Sequence, residues 1–302
     1  MTTATSLDAS SAGTASGRAH SPICLIVHGP DRPGILAAVT SVLAGYGANI
    51  VELDQHSDNA VGGWFFQRTV FHVEDYPAVR PAVEADLDRV LRDDLGLEWR
   101  LTDLGTPKRV AIFASRSDHC LLDLLWRQRR GELPMTVAMV ISNHTDLADD
   151  VRGFGVPFVH IPVPRDDKPA AEAEQLRLLR GNVDLVVLAR YMQVLSEDFL
   201  SQVDVPVINI HHSFLPAFIG AAPYRKARER GVKLVGATAH YVSTELDAGP
   251  IIEQDVIRVS HRDSIEELTR RGADVERQVL ARAVLWHCQE RVIRHENQTI
   301  VF

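Results

Sequence analysis

From Ile23 onward the chain falls into short apolar stretches cut off by glycine, proline or charge, and the spacing inside each stretch points to its element. Ile23-Cys24-Leu25-Ile26-Val27 is a continuous apolar run that ends at Gly29-Pro30; after Gly34, Ile35, Val39, Val42 and Leu43 recur at helical intervals. A strand, a turn and an amphipathic helix are predicted. Asn49 to His56 and Trp64 to Val73, on either side of Gly62-Gly63, predict two more strands. Val79, Val83, Leu87, Val90 and Leu91 lay an apolar stripe along a helix from Asp75 to Leu95, and Glu98 to Thr102 is a further short strand. The order β-α-β-β-α, closed by that strand, is a ferredoxin-like arrangement over residues 21–104. Residues 1–20 are mostly Ser, Thr, Ala and Gly, too little side chain to offset the entropy of ordering them, so a disordered tail is expected there.

Gly105-Thr106-Pro107-Lys108 breaks the periodicity and reads as a linker at 105–108, because a new apolar strand, Arg109 to Ala114, follows at once. Over 109–302 strands and helices alternate. Strands are predicted at Val137–Ile141, Phe158–Ile161, Leu185–Ala189, Val205–Ile210 and Leu234–Tyr241. Helices are predicted at Cys120–Arg130, Ala170–Arg180, Ser196–Gln202 and Tyr224–Arg230, with a long one from Asp263 to Val292. Uninterrupted apolar strands such as Leu185-Val186-Val187-Leu188-Ala189 imply burial on both faces. The fold class is therefore α/β: a ferredoxin-like N-terminal domain and a doubly wound, mostly parallel Rossmann-type sheet covered by helices. Ligands of such sheets sit beyond the carboxyl ends of the strands.

Composition narrows the function. The 302 residues are long for one core, and 45% hydrophobic with 24% charged residues describes an ordinary globular protein. A net charge of −8 repels a phosphate backbone, so nucleic acid is a poor partner. Cys24, Cys120 and Cys288 lie far apart without CxxC spacing, which gives neither a zinc framework nor a disulfide one. No apolar run approaches a membrane span and no secretory leader is visible, so a cytoplasmic protein without membrane contact is expected.

The chemistry is expected at the end of the strand Val205–Ile210. Alternation sends Asn209 and His211 to one side, and the turn Thr244 to Pro250 brings a carboxylate, Asp247, within reach of the same volume. An amide, an imidazole and a carboxylate together suit attack on a carbonyl: two donors for the developing oxyanion and one base for a water. By residue type alone the alternative stays open, since Asn and His at strand ends often anchor loops and Asp before Ala-Gly often forms a turn. HExxH is absent and His211-His212 point opposite ways on an extended segment, so no metal is expected.

Three segments carry a resemblance. Asn209-Ile210-His211-His212-Ser213-Phe214-Leu215-Pro216-Ala217-Phe218, Gly236 to Val242, and Asp247-Ala248-Gly249-Pro250-Ile251-Ile252 are similar to the folate-dependent formyltransferase superfamily, and within it to the formyltetrahydrofolate deformylases, over nearly the whole chain. Asp31-Arg32-Pro33-Gly34-Ile35 resembles the first turn of ACT modules, which implies an amino-acid effector or an assembly role, with Asn49 and Asp31 the polar contacts to test. The superfamily's catalytic residues fall on Asn209, His211 and Asp247. Its folate-binding segment matches Leu188 to Leu195, which implies contacts from Arg190, Tyr191, Met192, Val194 and Leu195, joined by His212, Gly220 and His240.

The resemblance implies hydrolysis of 10-formyltetrahydrofolate to formate and tetrahydrofolate, the formate feeding purine synthesis, with folate as substrate and no cofactor. A homo-oligomer is expected from the ACT-like module. Glycinamide ribonucleotide formyltransferases typically carry proline after the catalytic histidine; this chain has His212. Their first-strand loop is a Gly/Ser-rich phosphate turn, whereas Ser115-Arg116-Ser117-Asp118 has no glycine and adds a carboxylate, which argues against a phosphate there. Asp118-His119-Cys120-Leu121 resembles the deformylases instead. Ala222 and Arg225 depart from the deformylase pattern, which tends to have Arg or Lys and then His. A formyltransferase and a folate or amino-acid sensor without turnover remain the alternatives.

Overall fold

In the computed structural model, residues 21–59, 61–164, 167–216 and 223–302 are described; the tail expected over 1–20 lies outside them. The N-terminal unit runs β1 (Ile23–Pro30), α1 (Ile35–Gly45), β2 (Asn49–Ser57), β3 (Trp64–His72), α2 (Tyr76–Leu87) and β4 (Glu98–Asp103). Its strands form an antiparallel sheet in the order β2-β3-β1-β4, the ferredoxin-like arrangement. Central strand β1 is apolar and buried from Ile23 to Val27 because both of its faces are covered there. Ile23, Leu25 and Val27 pack with Ile35, Val39, Val83 and Leu87 of the helices, while Cys24 and Ile26 pack on the opposite side with Ile293, Ile300 and Phe302. The helix expected from Asp75 to Leu95 divides: α2 carries Pro81 and passes at Asp88–Asp94 into a π-helical segment.

The second unit contains β5 (Lys108–Ala114), α3 (His119–Arg129), β6 (Met135–Ser142), α4 (Ala148–Gly153), β7 (Phe158–His160), α5 (Lys168–Leu179), β8 (Leu185–Ala189), α6 (Glu197–Gln202), β9 (Val207–His211), α7 (Pro223–Arg230), β10 (Leu234–Tyr241), β11 (Ile251–Arg258), α8 (Ile265–Cys288), β12 (Val292–His295) and β13 (Gln298–Val301). Its seven-stranded sheet has the order β11-β10-β9-β8-β5-β6-β7, parallel from β9 to β7 and antiparallel at β10 and β11. All five residues of β8 are buried, as expected for a strand with helices on both faces. One face packs on α3 and α8 and the other on α5 and α6.

Four elements lie beyond those predicted: α4, β11, β12 and β13. β11 is a half-exposed edge strand whose sequence, Ile251-Ile252-Glu253-Gln254-Asp255-Val256-Ile257-Arg258, mixes apolar and charged residues without strict alternation. The C-terminal helix is shorter than expected. Ser264 caps its start, accepting from Glu267 N at 3.1 Å, and it ends at Cys288 because Glu290 turns into the left-handed region at φ 55°. The chain released there forms the β12-β13 hairpin, which covers the outer face of the N-terminal sheet. Glu290 itself is buried between the units, accepting from Arg100 Nη2 at 2.8 Å and Lys108 Nζ at 2.6 Å. Among the described residues no helix is long and apolar enough to cross a membrane.

Candidate functional site

Asn209 and His211 stand two residues apart near the carboxyl end of β9 and face one side of the sheet. Antiparallel β10 places His240 directly across from Asn209 and Thr238 across from His211. After β10 the chain folds back sharply: Tyr241 N donates to Pro250 O at 2.9 Å and Val242 N to Val207 O at 2.8 Å. This return passes so close that a Cβ on Gly249 would lie 1.9 Å from Tyr241 O, so only glycine fits there. Asp247, at φ 56°, occupies the corner, and its side chain is only 8% exposed.

Four side chains from these three segments meet. His211 Nδ1 lies 3.2 Å from Asp247 Oδ2, His240 Nε2 lies 3.8 Å from Asp247 Oδ1, and Asn209 Nδ2 lies 3.2 Å from His240 Nε2. His240 Nδ1 is 2.9 Å from Tyr241 O, a carbonyl that can only accept, so Nδ1 carries the proton and Nε2 takes a hydrogen bond from the Asn209 amide. Burial lowers the pKa of His240, outweighing its hydrogen bond to Tyr241 O and the Asp247 charge, which fits that neutral tautomer. The Asp247 carboxyl titrates below its ordinary value, chiefly through the hydrogen bond with His211, against the opposing effect of burial. It is therefore ionised at neutral pH. His211 Nε2 is buried and has no hydrogen-bond partner among the described residues. A buried, unmatched imidazole nitrogen beside an anchored carboxylate is poised for an external group.

A narrow cleft of about 60 Å³ opens onto this group, with Leu188, Val194, Leu195 and Val242 among its walls and Asn209, His240 and Asp247 at its polar end. A wider groove of about 540 Å³ runs alongside and shares only Val242, Ser243 and Thr244 with it; its remaining lining lies away from the triad. Of the folate contacts implied by the resemblance, Val194, Leu195 and His240 line the cleft, and Met192, 58% exposed and at φ 60°, belongs to the same irregular segment after β8. Tyr191 does not reach it. Its ring is buried edge-on against Phe113 and its hydroxyl takes a hydrogen bond from Gln175 Nε2 at 2.8 Å, so its side chain belongs to the core. Arg190 also turns away, toward Glu276 on α8, with Nη1 to Oε2 at 3.4 Å. His212 packs on the α8 side of His211, with ring centroids 5.3 Å apart. Gly220 and Ala222 lie outside the described residues, and Arg225 is exposed on α7.

Sequence reasoning passed over Glu276. Its signal was an acidic residue inside the stripe formed by Gly272, Val275, Val279 and Leu280, a pattern easily taken for a solvated helix position. His119, Cys120 and Glu276 offer ligand atoms within 4.8 Å of one another. The Glu276 carboxylate is already bonded to His119 and Tyr224 and faces the Arg190 guanidinium, a cation that opposes a metal ion in the same place.

Comparison with known proteins matches residues 108–284 to the formyl transferase family and residues 25–87 to the ACT domain. A formyltetrahydrofolate deformylase of Mycobacterium tuberculosis is 62% identical over 278 residues, covering 92% of this chain and 90% of its own. The Bacillus subtilis formyltetrahydrofolate deformylase is 48% identical over 279 residues, covering 92% and 93%. Among solved structures, a formyltetrahydrofolate deformylase from Pseudomonas syringae pv. tomato superposes with a TM-score of 0.88 at 47% identity, over 94% of this chain and 95% of that one. A glycinamide ribonucleotide transformylase from Symbiobacterium toebii gives 0.62 at 32% identity and covers 66% of this chain and 95% of its own.

Proposed function

This chain belongs to the formyl transferase family, and on that footing we propose that it is a formyltetrahydrofolate deformylase, releasing formate and tetrahydrofolate from 10-formyltetrahydrofolate and water. The observation that carries the reading is the meeting of ionised Asp247, His211 with its unmatched Nε2, and the Asn209 amide, with Asp247 and Asn209 lining the polar end of a narrow cleft.

Asp247 holds a water and accepts its proton as the water oxygen bonds to the formyl carbon. The carbonyl electron pair moves onto oxygen, where Asn209 and His211, through Nε2–H, donate to it. The tetrahedral adduct then collapses: the carbon–N10 bond breaks, N10 takes the proton that Asp247 had accepted, and formic acid leaves and loses its remaining proton to solvent as formate. Neutral His240 holds the Asn209 amide in place by accepting one of its two N–H bonds. No metal or covalent enzyme intermediate takes part.

Exposed apolar side chains lining the cleft, Val194 and Leu246, with exposed Met192 on the same segment, suit an aromatic ligand, and backbone groups of the irregular segment 190–195 read the pterin edge. A pterin is larger than about 60 Å³, so the exposed turn Thr244-Glu245-Leu246 swings outward to admit it. Residues 21–104 form the regulatory domain, 105–108 the linker and 109–302 the catalytic domain. Asp31 and Asn49 are the residues to test for amino-acid binding at a homo-oligomer interface, and the enzyme works in the cytoplasm, supplying formate to purine synthesis.

The test is formate release from 10-formyltetrahydrofolate by purified protein, alone and with glycinamide ribonucleotide. Release without an amine supports the hydrolase; formyl transfer to the amine with no free formate replaces it with a transferase.

A further inference from the structure

Behind His212 lies a polar cluster that the hydrolysis steps above do not use. Glu276 on α8 is 2% exposed and accepts from Tyr224 Oη at 2.7 Å and from His119 Nε2 at 2.8 Å, with Arg190 Nη1 at 3.4 Å. Burial pushes its pKa up, but the His119 hydrogen bond and the Arg190 charge outweigh that and hold it below its ordinary value, so the carboxylate is charged. Replacing such a buried ionic group by packed apolar residues is often neutral or stabilising, so stability is a weak reason for its presence.

The cluster is continuous with the reaction centre. The Tyr224 ring packs on His212 with centroids 6.2 Å apart, and His212 packs on His211 at 5.3 Å. The helix is shaped to allow this contact: a Cβ on Gly272, one turn before Glu276, would lie 1.9 Å from Tyr224 Oη. Glu276 thus fixes the tyrosine hydroxyl, the tyrosine ring backs His212, and His212 backs the imidazole that pairs with Asp247 at the polar end of the cleft. His212 titrates near 4, lowered by burial and then by Arg190, so it stays neutral and packs without drawing in a counter-ion.

We propose that Glu276 is a positioning residue for the reaction centre, acting through Tyr224 to hold the His212–His211 stack in its productive orientation. The proposal rests on the hydrolase reading. Misplacing a reacting group by about 1 Å costs on the order of 10²-fold in rate, which sets the scale of the effect.

Formate release is measured with full-length wild type, Glu276→Gln, Tyr224→Phe and the double variant, each checked for fold by circular dichroism. In Glu276→Gln, kcat falls roughly 10- to 100-fold while KM stays within about twofold. Tyr224→Phe gives a smaller fall of the same kind, and the double variant resembles Glu276→Gln instead of multiplying the two losses. A folded Glu276→Gln with wild-type kcat, a rise in KM alone, or multiplicative losses overturns the proposal. Should Glu276→Gln not fold, an unchanged kcat in Tyr224→Phe overturns it alone. If wild type itself releases no formate, the hydrolase reading fails separately. The stack is then judged from the imidazole NMR resonances of His211 and His212, and their staying fixed in Tyr224→Phe overturns it.

Discussion

Substituting Glu290 by Gln isolates a buried ionic tie between the two units. The carboxylate holds Arg100 from β4 and Lys108 from β5 while sitting at the end of α8. Burial raises its pKa, yet the two cations and their hydrogen bonds overcome that and bring it from the ordinary 4.5 down to about 2. At about 1.4 kcal/mol per pH unit, that displacement corresponds to about 3 kcal/mol of folding stability, a ceiling because Arg100 is 45% exposed and screened by solvent. Since the folded pKa is depressed, the contribution is fully present above 4.5 and is lost as pH falls from 4.5 through 2. Glutamine keeps the size and removes the charge. Denaturant unfolding followed by tryptophan fluorescence should therefore show the variant less stable at pH 7 by up to about 3 kcal/mol, with the gap closing to about half of its pH 7 value by pH 3. Other carboxylates titrate in that range, but they do so in both proteins and cancel in the difference. Equal midpoints at pH 7, or a gap that stays constant with pH, would refute the account of Glu290 as an ionised clamp.

Four further outcomes follow from the site. Asp247→Asn should lower kcat by about 10²- to 10⁴-fold in the formate assay, and wild-type rates in that variant would remove it as the base. Asn209→Ala and His211→Ala should each cost about 10²- to 10³-fold, mostly in kcat; a change confined to KM would make them substrate anchors instead. Because His211 holds the Asp247 pKa below the usual carboxylate value, kcat/KM in the free enzyme should not decline with acid until below the ordinary Asp range; a decline set near pH 6 would assign the base to another group. Dialysis against a strong chelator should leave formate release unchanged, whereas a loss restored by zinc would introduce the metal that the proposed mechanism omits.

Much of the fold was legible because burial on two faces and burial on one leave different signatures. β8 announces itself by five apolar residues in a row, and α1 by Ile35, Val39 and Leu43 at helical spacing. β11, with Glu253 and Asp255 between its apolar residues, and the short hairpin strands β12 and β13 owe their structure to partners distant in sequence, which local pattern cannot reveal. Alternation placed Asn209 and His211 on one face; the turn Thr244 to Pro250 put Asp247 within reach and the motif resemblance singled it out, but the chain reversal that brings Gly249 against Tyr241 O was not legible. Tyr191 shows a side chain that its motif does not reveal. It lies within the folate-like segment, yet its side chain is spent on Gln175 and Phe113 in the core.

The corner at Asp247 carries a constraint of its own. A left-handed backbone disfavours most side chains but accommodates Asp, Asn and Gly, whose short or absent side chains tolerate it. Asparagine can therefore replace the carboxylate without disturbing the turn, whereas alanine changes chemistry and backbone preference together and glutamate changes reach and backbone preference together. A saturation screen at this single position would mix two causes of inactivity, and only the Asp-to-Asn pair compares acid with amide on an unaltered scaffold.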